Sequence, residues 1–194
     1  MDVSVLLEPR IDLERLAATL DGLGHEGRVH AFHDWSAKRM AAVYEAAKGF
    51  RPAELDFLVP GALAPLTEVI HDGKNSLPMF SHFQKRFVKL EDGSVAGYNH
   101  NEGLAALPGP GYFVVRAGEG EHAGELAIDY RAQPTQKPEA WPRIRRNGGL
   151  LGSIVYGGMV DYLRVLSAHV SLGHATRGEK SRGQYFVLVR RDPS

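Results

Sequence analysis

The sequence predicts an α+β protein, with helices at the N-terminus packed on an antiparallel β-barrel or curled sheet. The first observation behind this prediction is a change in residue pattern and composition along the chain. Apolar side chains recur at three- and four-residue steps in residues 1–50, which is the spacing of one helix face. In residues 51–194, glycine and proline are frequent, and short apolar runs rich in Val, Ile, Tyr and Phe are typical of strands. We therefore expect an N-terminal helical segment followed by a β domain.

The second observation is an internal similarity within the β domain. Residues 77–116 and 158–190 follow the same order of residue types: an apolar segment, a short strand with a glycine, and a closing Tyr-Phe-Val strand that ends on arginine. This similarity predicts a β structure built from two related halves. We expect the two pseudo-repeats at about 65–131 and 143–192.

Length and charge exclude several classes of function. A chain of 194 residues suits one domain and buries a sizeable core without metal or disulfide staples. It has no cysteine, which excludes disulfides and thiolate nucleophiles and fits a reducing cytoplasm. Its 23 basic and 23 acidic residues balance, so no long-range field attracts nucleic acid or an anionic membrane. With no signal-peptide pattern and no long apolar run, the sequence predicts a cytoplasmic protein without membrane contact.

Two helices are predicted in residues 1–50. Asp12 is placed to cap the first helix, and Gly24 is placed to end it. The apolar face of this helix consists of Leu13, Leu16, Ala17, Leu20 and Leu23. A second helix is expected over residues 37–48, with Ser36 as its cap. The leucine face must bury against another surface, which is either the chain's own β domain or a second copy in a homodimer.

Three segments of the β domain are predicted strands. These are residues 112–115, 126–130 and 185–189, and in the second of them apolar and polar residues alternate cleanly. Residues 79–90 and 159–168 fit both a strand and one face of a helix. Periodicity alone does not decide between the two structures for runs this short.

The end of the chain resembles a known family. Tyr156 leads into Met-Val-Asp-Tyr-Leu-Arg at residues 159–164, followed by a Leu-Gly strand at 172–173 and an aromatic strand at 185–192. This order resembles the C-terminal domain of the small bacterial GXWXG-type proteins. The resemblance implies a compact, lipocalin-like β fold, and it carries no reaction over to this chain.

Three histidines and a tyrosine are expected to lie close together if the two similar stretches, the first copy at residues 77–116 and the second at 158–190, face a shared interior. His82 holds the position in the first copy that Tyr162 holds in the second, and His100 and His174 follow the short strands. Because imidazole titrates near neutral pH, His82 and His100 are predicted to act as acid and base. Tyr162 or Asp161 would orient the substrate. The alternative is that His82 and Tyr162 are amphipathic wall residues with satisfied polar ends.

Aromatic side chains are numerous enough in the β domain to line a ligand cavity. Sheets that close around an interior leave such a cavity unless their own side chains fill it. The predicted ligand-binding residues are Phe83, Tyr98, Phe113, Tyr130, Tyr156 and His174. The alternative is that these rings form an ordinary core.

Other polar motifs are interpreted as structural. His30 and His33 have helical spacing but lie between the two predicted helices, so we expect a loop with solvated histidines rather than a metal site. His71 and Asp72 precede a turn-forming glycine, and as neighbours on a strand they would point to opposite faces. We expect no metal and no cofactor.

The sequence therefore favours the binding of an apolar or aromatic small molecule in a β-barrel cavity. The alternative function is that of a cofactor-free isomerase, cyclase or lyase that uses histidine acid–base chemistry in the same cavity. The two hypotheses differ in one observable, because the enzyme requires His82 and His100 to face one cavity. The expected partner is an apolar small molecule in both cases and nucleic acid in neither.

Overall fold

The computed structural model describes residues 10–76, 82–100, 109–144, 156–178 and 180–192. The strands in these ranges are β1 (Val69–Asn75), β2 (His82–Lys89), β3 (Val95–His100), β4 (Tyr112–Ala117), β5 (Leu126–Asp129), β6 (Met159–Val165), β7 (Val170–Arg177) and β8 (Lys180–Arg190). Within the described residues, these eight strands form one closed antiparallel barrel, in which each strand pairs with the next and β8 pairs with β1. The predicted α+β class with an antiparallel barrel is confirmed.

Both segments that fitted helix or strand form strands over most of their described residues. Residues 82–89 form β2, and residues 159–165 form β6. Each strand pairs with neighbours on both sides, so its backbone groups have partners. The beginning of the first similar stretch, residues 77–81, lies outside the described residues.

The helices of the described residues precede the barrel: α1 (Leu13–Asp21), α2 (His25–Ala31), α3 (Ala37–Ala46) and α4 (Leu55–Leu58). As predicted, the Asp12 Oδ1 atom accepts a hydrogen bond from the Arg15 amide at 3.0 Å. The Ser36 hydroxyl accepts one from the Arg39 amide at 3.2 Å. The prediction of a loop between the two predicted helices is wrong for residues 25–31, which form α2. Gly24 therefore caps the start of a helix instead of ending one.

The first three helices pack against the outer face of β7 and β8. Together they form an apolar cluster of Leu16, Leu20, Phe32, Trp35, Met40, Val43, Tyr44, Leu166, Val170, Leu172, Val187 and Val189. Leu16 and Leu20 have no exposed surface. The leucine face that suggested a homodimer is therefore covered by the chain's own barrel.

A second apolar cluster fills much of the barrel interior: Leu58, Val59, Val69, Phe87, Val95, Phe113, Val115, Leu126, Ile128, Tyr130, Tyr156, Leu163, Phe186 and Leu188. The segment around α4 covers the end of the barrel where β1 begins. Arg190 Nη1 donates to the Phe57 carbonyl at 2.6 Å, and Lys89 Nζ donates to the Gly61 carbonyl at 2.7 Å. These bonds fix the segment to the last residues of β8 and β2.

The two similar stretches of sequence correspond to β2–β4 and β6–β8. Strands that are four apart in a closed barrel of eight lie on opposite sides, so the two three-strand units face each other across the interior. The range 65–131 holds β1–β5, whereas 143–192 holds β6–β8. The two similar stretches of sequence therefore hold three strands each, with β1 and β5 between them.

No helix among the described residues has the length and apolar character needed to cross a membrane.

Candidate functional site

The register of the barrel decides which side chains face its interior. His71 of β1 pairs with Lys85 of β2, and Lys85 pairs with Asn99 of β3. Paired residues of neighbouring strands point to the same face of the sheet, so these three polar side chains occupy adjacent inward positions. All of them are buried: Lys85 is 2% exposed and Asn99 is 8% exposed.

Four inward groups form a hydrogen-bonded set that we call the interior polar cluster: Lys85, Asn99, Tyr130 and Asp161. Lys85 Nζ donates to Asn99 Oδ1 at 2.9 Å, to Asp161 Oδ2 at 3.1 Å and to the Tyr130 hydroxyl oxygen. The Tyr130 hydroxyl donates in turn to Asp161 Oδ2 at 3.1 Å. An amine, a phenol, an amide and a carboxylate thus share one buried site.

Aromatic rings surround the Lys85 ammonium in the described part of the barrel. The distances from Nζ to the ring centroids are 5.6 Å for Phe83, 5.3 Å for Phe113, 5.0 Å for Tyr130 and 5.1 Å for Phe186. A cation at this distance from a ring face is attracted by the ring's negative quadrupole. The rings stabilise the charge and also exclude water from the amine.

Glycines opposite three of these positions make room for the rings. At Gly173, for example, an added Cβ would lie 2.0 Å from the Phe186 ring, which occupies the space a side chain would fill. The cross-strand pairs are Gly73 with Phe83, Gly97 with Phe113, and Gly173 with Phe186. Each ring therefore lies against the barrel wall over a glycine on the neighbouring strand, beside Lys85.

Burial changes the acid–base character of the interior polar cluster. Burial lowers the pKa of Lys85 below its usual 10.5, although the Asp161 carboxylate acts in the opposite direction. Burial, followed by the charge of Asp161, raises the pKa of Tyr130 well above 10.0, so this phenol is protonated near neutral pH. The second carboxylate oxygen, Asp161 Oδ1, is buried and has no hydrogen-bond partner among the described residues.

His71 is the inward histidine next to Lys85. Its Nε2 atom lies 3.0 Å from the Leu58 carbonyl, an acceptor, so Nε2 carries the proton and Nδ1 carries none. Complete burial lowers the pKa of His71 to about 3, which keeps the ring neutral. Asp72 points to the outer face, as strand alternation predicts, where it accepts hydrogen bonds from Arg191 at 2.8 and 3.0 Å.

Five of the predicted site residues lie in the interior. Phe83, Phe113 and Tyr130 contact Lys85, and Asp161 pairs with it. Tyr156 stacks on Tyr130 with 5.3 Å between ring centroids. Their role in ligand binding stays a prediction, but the structure brings them together around one amine.

The expected convergence of His82, His100, Tyr162 and His174 inside the barrel is wrong. Each belongs to the outward set, because Lys85 and Asp161 occupy the alternating inward positions of β2 and β6. Tyr162 stacks on the His122 ring outside the barrel, with 3.4 Å between centroids. His174 stacks on Tyr185 at 4.7 Å, beside α3. His82 and His100 therefore cannot act as an acid–base pair in the interior.

Tyr98, which was predicted to bind ligand, also points outward. Its ring lies 4.7 Å from Trp141 and 5.5 Å from Tyr112, in a third apolar cluster on the outside of the barrel. His100 lies beside Tyr98 on the same face. These rings anchor the segment that contains Trp141 to β3 and β4.

A cleft of about 370 Å³ lies outside the barrel between α2 and β1. Val29 of α2, Phe32 just after it and Val187 of β8 contribute to its apolar lining. His33 and His82 also line the cleft, with 6.4 Å between their ring centroids. No group of three or more histidines, aspartates or glutamates in the described ranges is arranged to hold a metal ion. His30 and His33 stack on each other at 6.2 Å.

Lys85 and Asn99 are the central residues that sequence reasoning missed. The signal was present in Phe83-x-Lys85-x-Phe87, because strict alternation places a lysine between two core phenylalanines. The same phenylalanines also fit a helix face, and that ambiguity concealed the inward lysine.

Comparison of the chain with known protein families, characterised proteins and solved structures finds no significant match. The resemblance of residues 156–192 to the GXWXG-type proteins therefore stays a prediction. The function has to be inferred from the side chains of this barrel.

Proposed function

We propose that the protein binds an apolar or aromatic small molecule inside its barrel, with the interior polar cluster as the anchor. The observation that supports this most strongly is the buried Lys85–Asp161 pair among aromatic rings. Replacing a buried ion pair with apolar residues is often neutral or stabilising, so a barrel core gains little stability from one. A buried amine beside a carboxylate in an apolar setting is, however, typical of a functional site.

The charge of the cluster indicates the kind of ligand. Asp161 already balances the Lys85 ammonium at 3.1 Å, so an anionic ligand would meet the repulsion of a carboxylate in a medium of low dielectric. A neutral ligand avoids this cost. Asp161 Oδ1 has no partner in the described part of the chain and suits an N–H or O–H donor. A ligand carbonyl would replace one of the acceptors that Lys85 Nζ and the Tyr130 hydroxyl use in this structure.

The rings and glycines indicate the shape of the ligand. Phe83, Phe113 and Phe186 lie over glycines on neighbouring strands, so the surroundings of Lys85 are apolar and aromatic. A barrel of eight strands has an interior wide enough for its own side chains or for one small ligand. The ligand is therefore small, apolar on its faces, and equipped with one polar end.

A second candidate function is that of a cofactor-free isomerase, cyclase or lyase in the same interior. The observation that favours it is the shared hydrogen bonding of Lys85, Tyr130 and Asp161, which are groups able to donate and accept protons. In this version the acid–base groups are the interior polar cluster instead of the histidines. Binding remains the first proposal because both functions require it.

Fluorescence titration with N-phenyl-1-naphthylamine tests the binding proposal. This neutral aromatic probe has an N–H donor, and we expect it to bind saturably with one probe per chain. Ala175 pairs with Asp161 and is 5% exposed, so Ala175→Phe places a bulky ring beside the cluster. We expect this variant to bind at least tenfold more weakly, which corresponds to about 1.4 kcal/mol.

The matched control is Ala18→Phe, which introduces the same ring on the exposed side of α1. It should bind the probe as the wild type does. Equal affinities of the wild type and Ala175→Phe would argue against the interior as the binding site. Native mass spectrometry of protein purified from its own host, followed by extraction of any apolar compound, identifies the natural ligand.

A further inference from the structure

The Lys85 amine is placed for chemistry as well as binding. We propose that Lys85 forms an imine with the carbonyl carbon of an apolar or aromatic aldehyde or ketone held in the barrel, an inference that rests on the proposed function. Nucleophilic lysines are typically amines desolvated in a hydrophobic pocket. The Lys85 side chain is 3% exposed, and its Nζ atom lies within 5.6 Å of aromatic ring centroids.

Loss of hydration favours the neutral amine that attacks a carbonyl, and it outweighs the opposing effect of Asp161. Apolar burial destabilises the ammonium form, which is consistent with the lowered pKa of Lys85. Asp161 Oδ2, 3.1 Å from Nζ, is the group that accepts the ammonium proton. The amine that remains lies 5.3 Å from the Phe113 ring centroid and 5.1 Å from that of Phe186, so an apolar carbonyl compound beside it would contact these rings.

The same cluster supplies the remaining proton transfers. The Nζ lone pair forms the N–C bond while the carbonyl π electrons move to oxygen, which takes a proton from the Tyr130 hydroxyl. The proton lost from nitrogen returns to Tyr130, and this leaves a carbinolamine. Protonated Asp161 then gives its proton to the carbinolamine hydroxyl, water leaves, and the C=N bond forms. In sum, an ammonium and a carbonyl give an iminium and water, with no oxidant or reductant consumed.

Charge conservation supports the choice of a carbonyl ligand. The iminium carries the same single positive charge as the ammonium it replaces, so its pairing with Asp161 survives the reaction. The aromatic rings at 5.0–5.6 Å stabilise either cation. Asn99 Oδ1, which accepts from Nζ at 2.9 Å, holds the amine in position beside Tyr130.

Reductive trapping tests this inference. The wild-type protein is incubated near neutral pH with 2-naphthaldehyde and sodium cyanoborohydride, and the modified lysines are located by peptide mapping. We expect one naphthylmethyl group per chain, at Lys85, at a rate well above that of exposed Lys38. The reason is that the apolar surroundings of Lys85 disfavour its ammonium form and hold the aromatic aldehyde beside the amine.

Two variants and one binding measurement separate the outcomes. Lys85→Met should lose the rapid adduct, whereas Lys38→Met should keep it, and Tyr130→Phe should slow its formation. Slow labelling spread evenly over surface lysines would overturn the imine proposal. If 2-naphthaldehyde still displaces N-phenyl-1-naphthylamine, only the imine fails and binding stands; if neither compound binds, both proposals fail. Because wild-type site selectivity is itself a result, the test does not depend on the folding of Lys85→Met.

Discussion

The most informative perturbation removes the buried Lys85–Asp161 ion pair and measures how much the free energy of unfolding of the barrel changes. Lys85 Nζ and Asp161 Oδ2 are 3.1 Å apart, and both side chains are 3% exposed. Coulomb attraction at this distance is about 5 kcal/mol at an effective dielectric constant near 20. The cost of removing two ions from water offsets this attraction. We therefore expect the intact pair to add little to the free energy of unfolding.

Breaking the pair is a different matter, because it leaves one charge buried alone. Lys85→Met keeps most of the side-chain volume but leaves the Asp161 carboxylate among aromatic rings. We expect a loss of about 3–5 kcal/mol in the free energy of unfolding. For a domain of this size each kcal/mol shifts Tm by about 2–4 °C, so Tm should fall by roughly 10 °C.

The double variant Lys85→Met with Asp161→Val completes the cycle. It removes both charges and restores an apolar contact, so its free energy of unfolding should return to within about 1 kcal/mol of the wild type. Urea unfolding followed by circular dichroism measures all four proteins. A double variant that loses as much as the two single variants added together would refute the reasoning, because the residues would then not be coupled. The double variant should also lose the imine adduct while remaining folded.

Three further predictions concern the rest of the fold. Glu125→Gln should lower the free energy of unfolding by about 1.5–3 kcal/mol in urea titrations, because Arg164 would lose the buried carboxylate 2.8 Å from its Nη2 atom and, among the residues that the structure describes, keep only the exposed Glu45 as an ion-pair partner. Gly173→Ala should cost about 1–3 kcal/mol in the same assay, because the new Cβ would lie 2.0 Å from the Phe186 ring. Asp72→Asn should reduce the loss of stability that the protein shows on acidification. Burial alone would raise the pKa of Asp72, but hydrogen bonds from Arg191 and Gln84 hold it below 3.8.

The sign of the last prediction follows from proton linkage. A carboxylate whose pKa is lower in the folded state stabilises the fold above its unfolded pKa, and this contribution is lost as pH falls through the folded value. The wild type should therefore lose more stability than Asp72→Asn on acidification below 3.8. Parallel pH profiles of the two proteins would contradict the assignment.

Matched controls are available for the other two substitutions. Glu121→Gln makes the same change on a side chain that is 80% exposed, and it should leave stability within about 0.5 kcal/mol of the wild type. Gly24→Ala adds a Cβ with no atom within 4 Å, so steric overlap cannot destabilise it. If Glu121→Gln or Gly24→Ala costs as much as its buried counterpart, the buried contacts are not the cause of the loss.

Local signals were sufficient to predict where the two longer helices begin. A capping side chain accepts a hydrogen bond from an amide three residues ahead. Asp12 and Ser36 therefore mark the starts of α1 and α3 in the sequence itself. The second helix, α2, was missed because it has seven residues and no side-chain cap at Gly24. It is held instead by contacts with β8, which sequence spacing does not reveal.

The candidate site could be predicted only in part, for reasons of register. Successive side chains of a strand point to opposite faces of the sheet. An error of one residue in the assignment therefore exchanges the side chains that face the interior with those that face outward. The similarity between residues 77–116 and 158–190 placed His82 with Tyr162, and both point outward, but it could not say which face was the interior. Lys85 meets Asp161 across 76 positions of sequence, and only barrel closure brings them together. The aromatic residues were easier to predict because most large rings are buried in any barrel.

A crystal structure of the protein with N-phenyl-1-naphthylamine tests the central claim most directly. The proposal predicts the probe inside the barrel, with its rings against Phe113 and Phe186 and its amine within hydrogen-bond distance of Asp161 Oδ1. The competing location is the outer cleft between α2 and β1, where His33 and His82 lie. Probe density in the barrel beside Lys85 would confirm the interior as the binding site, whereas density in the outer cleft alone would contradict it.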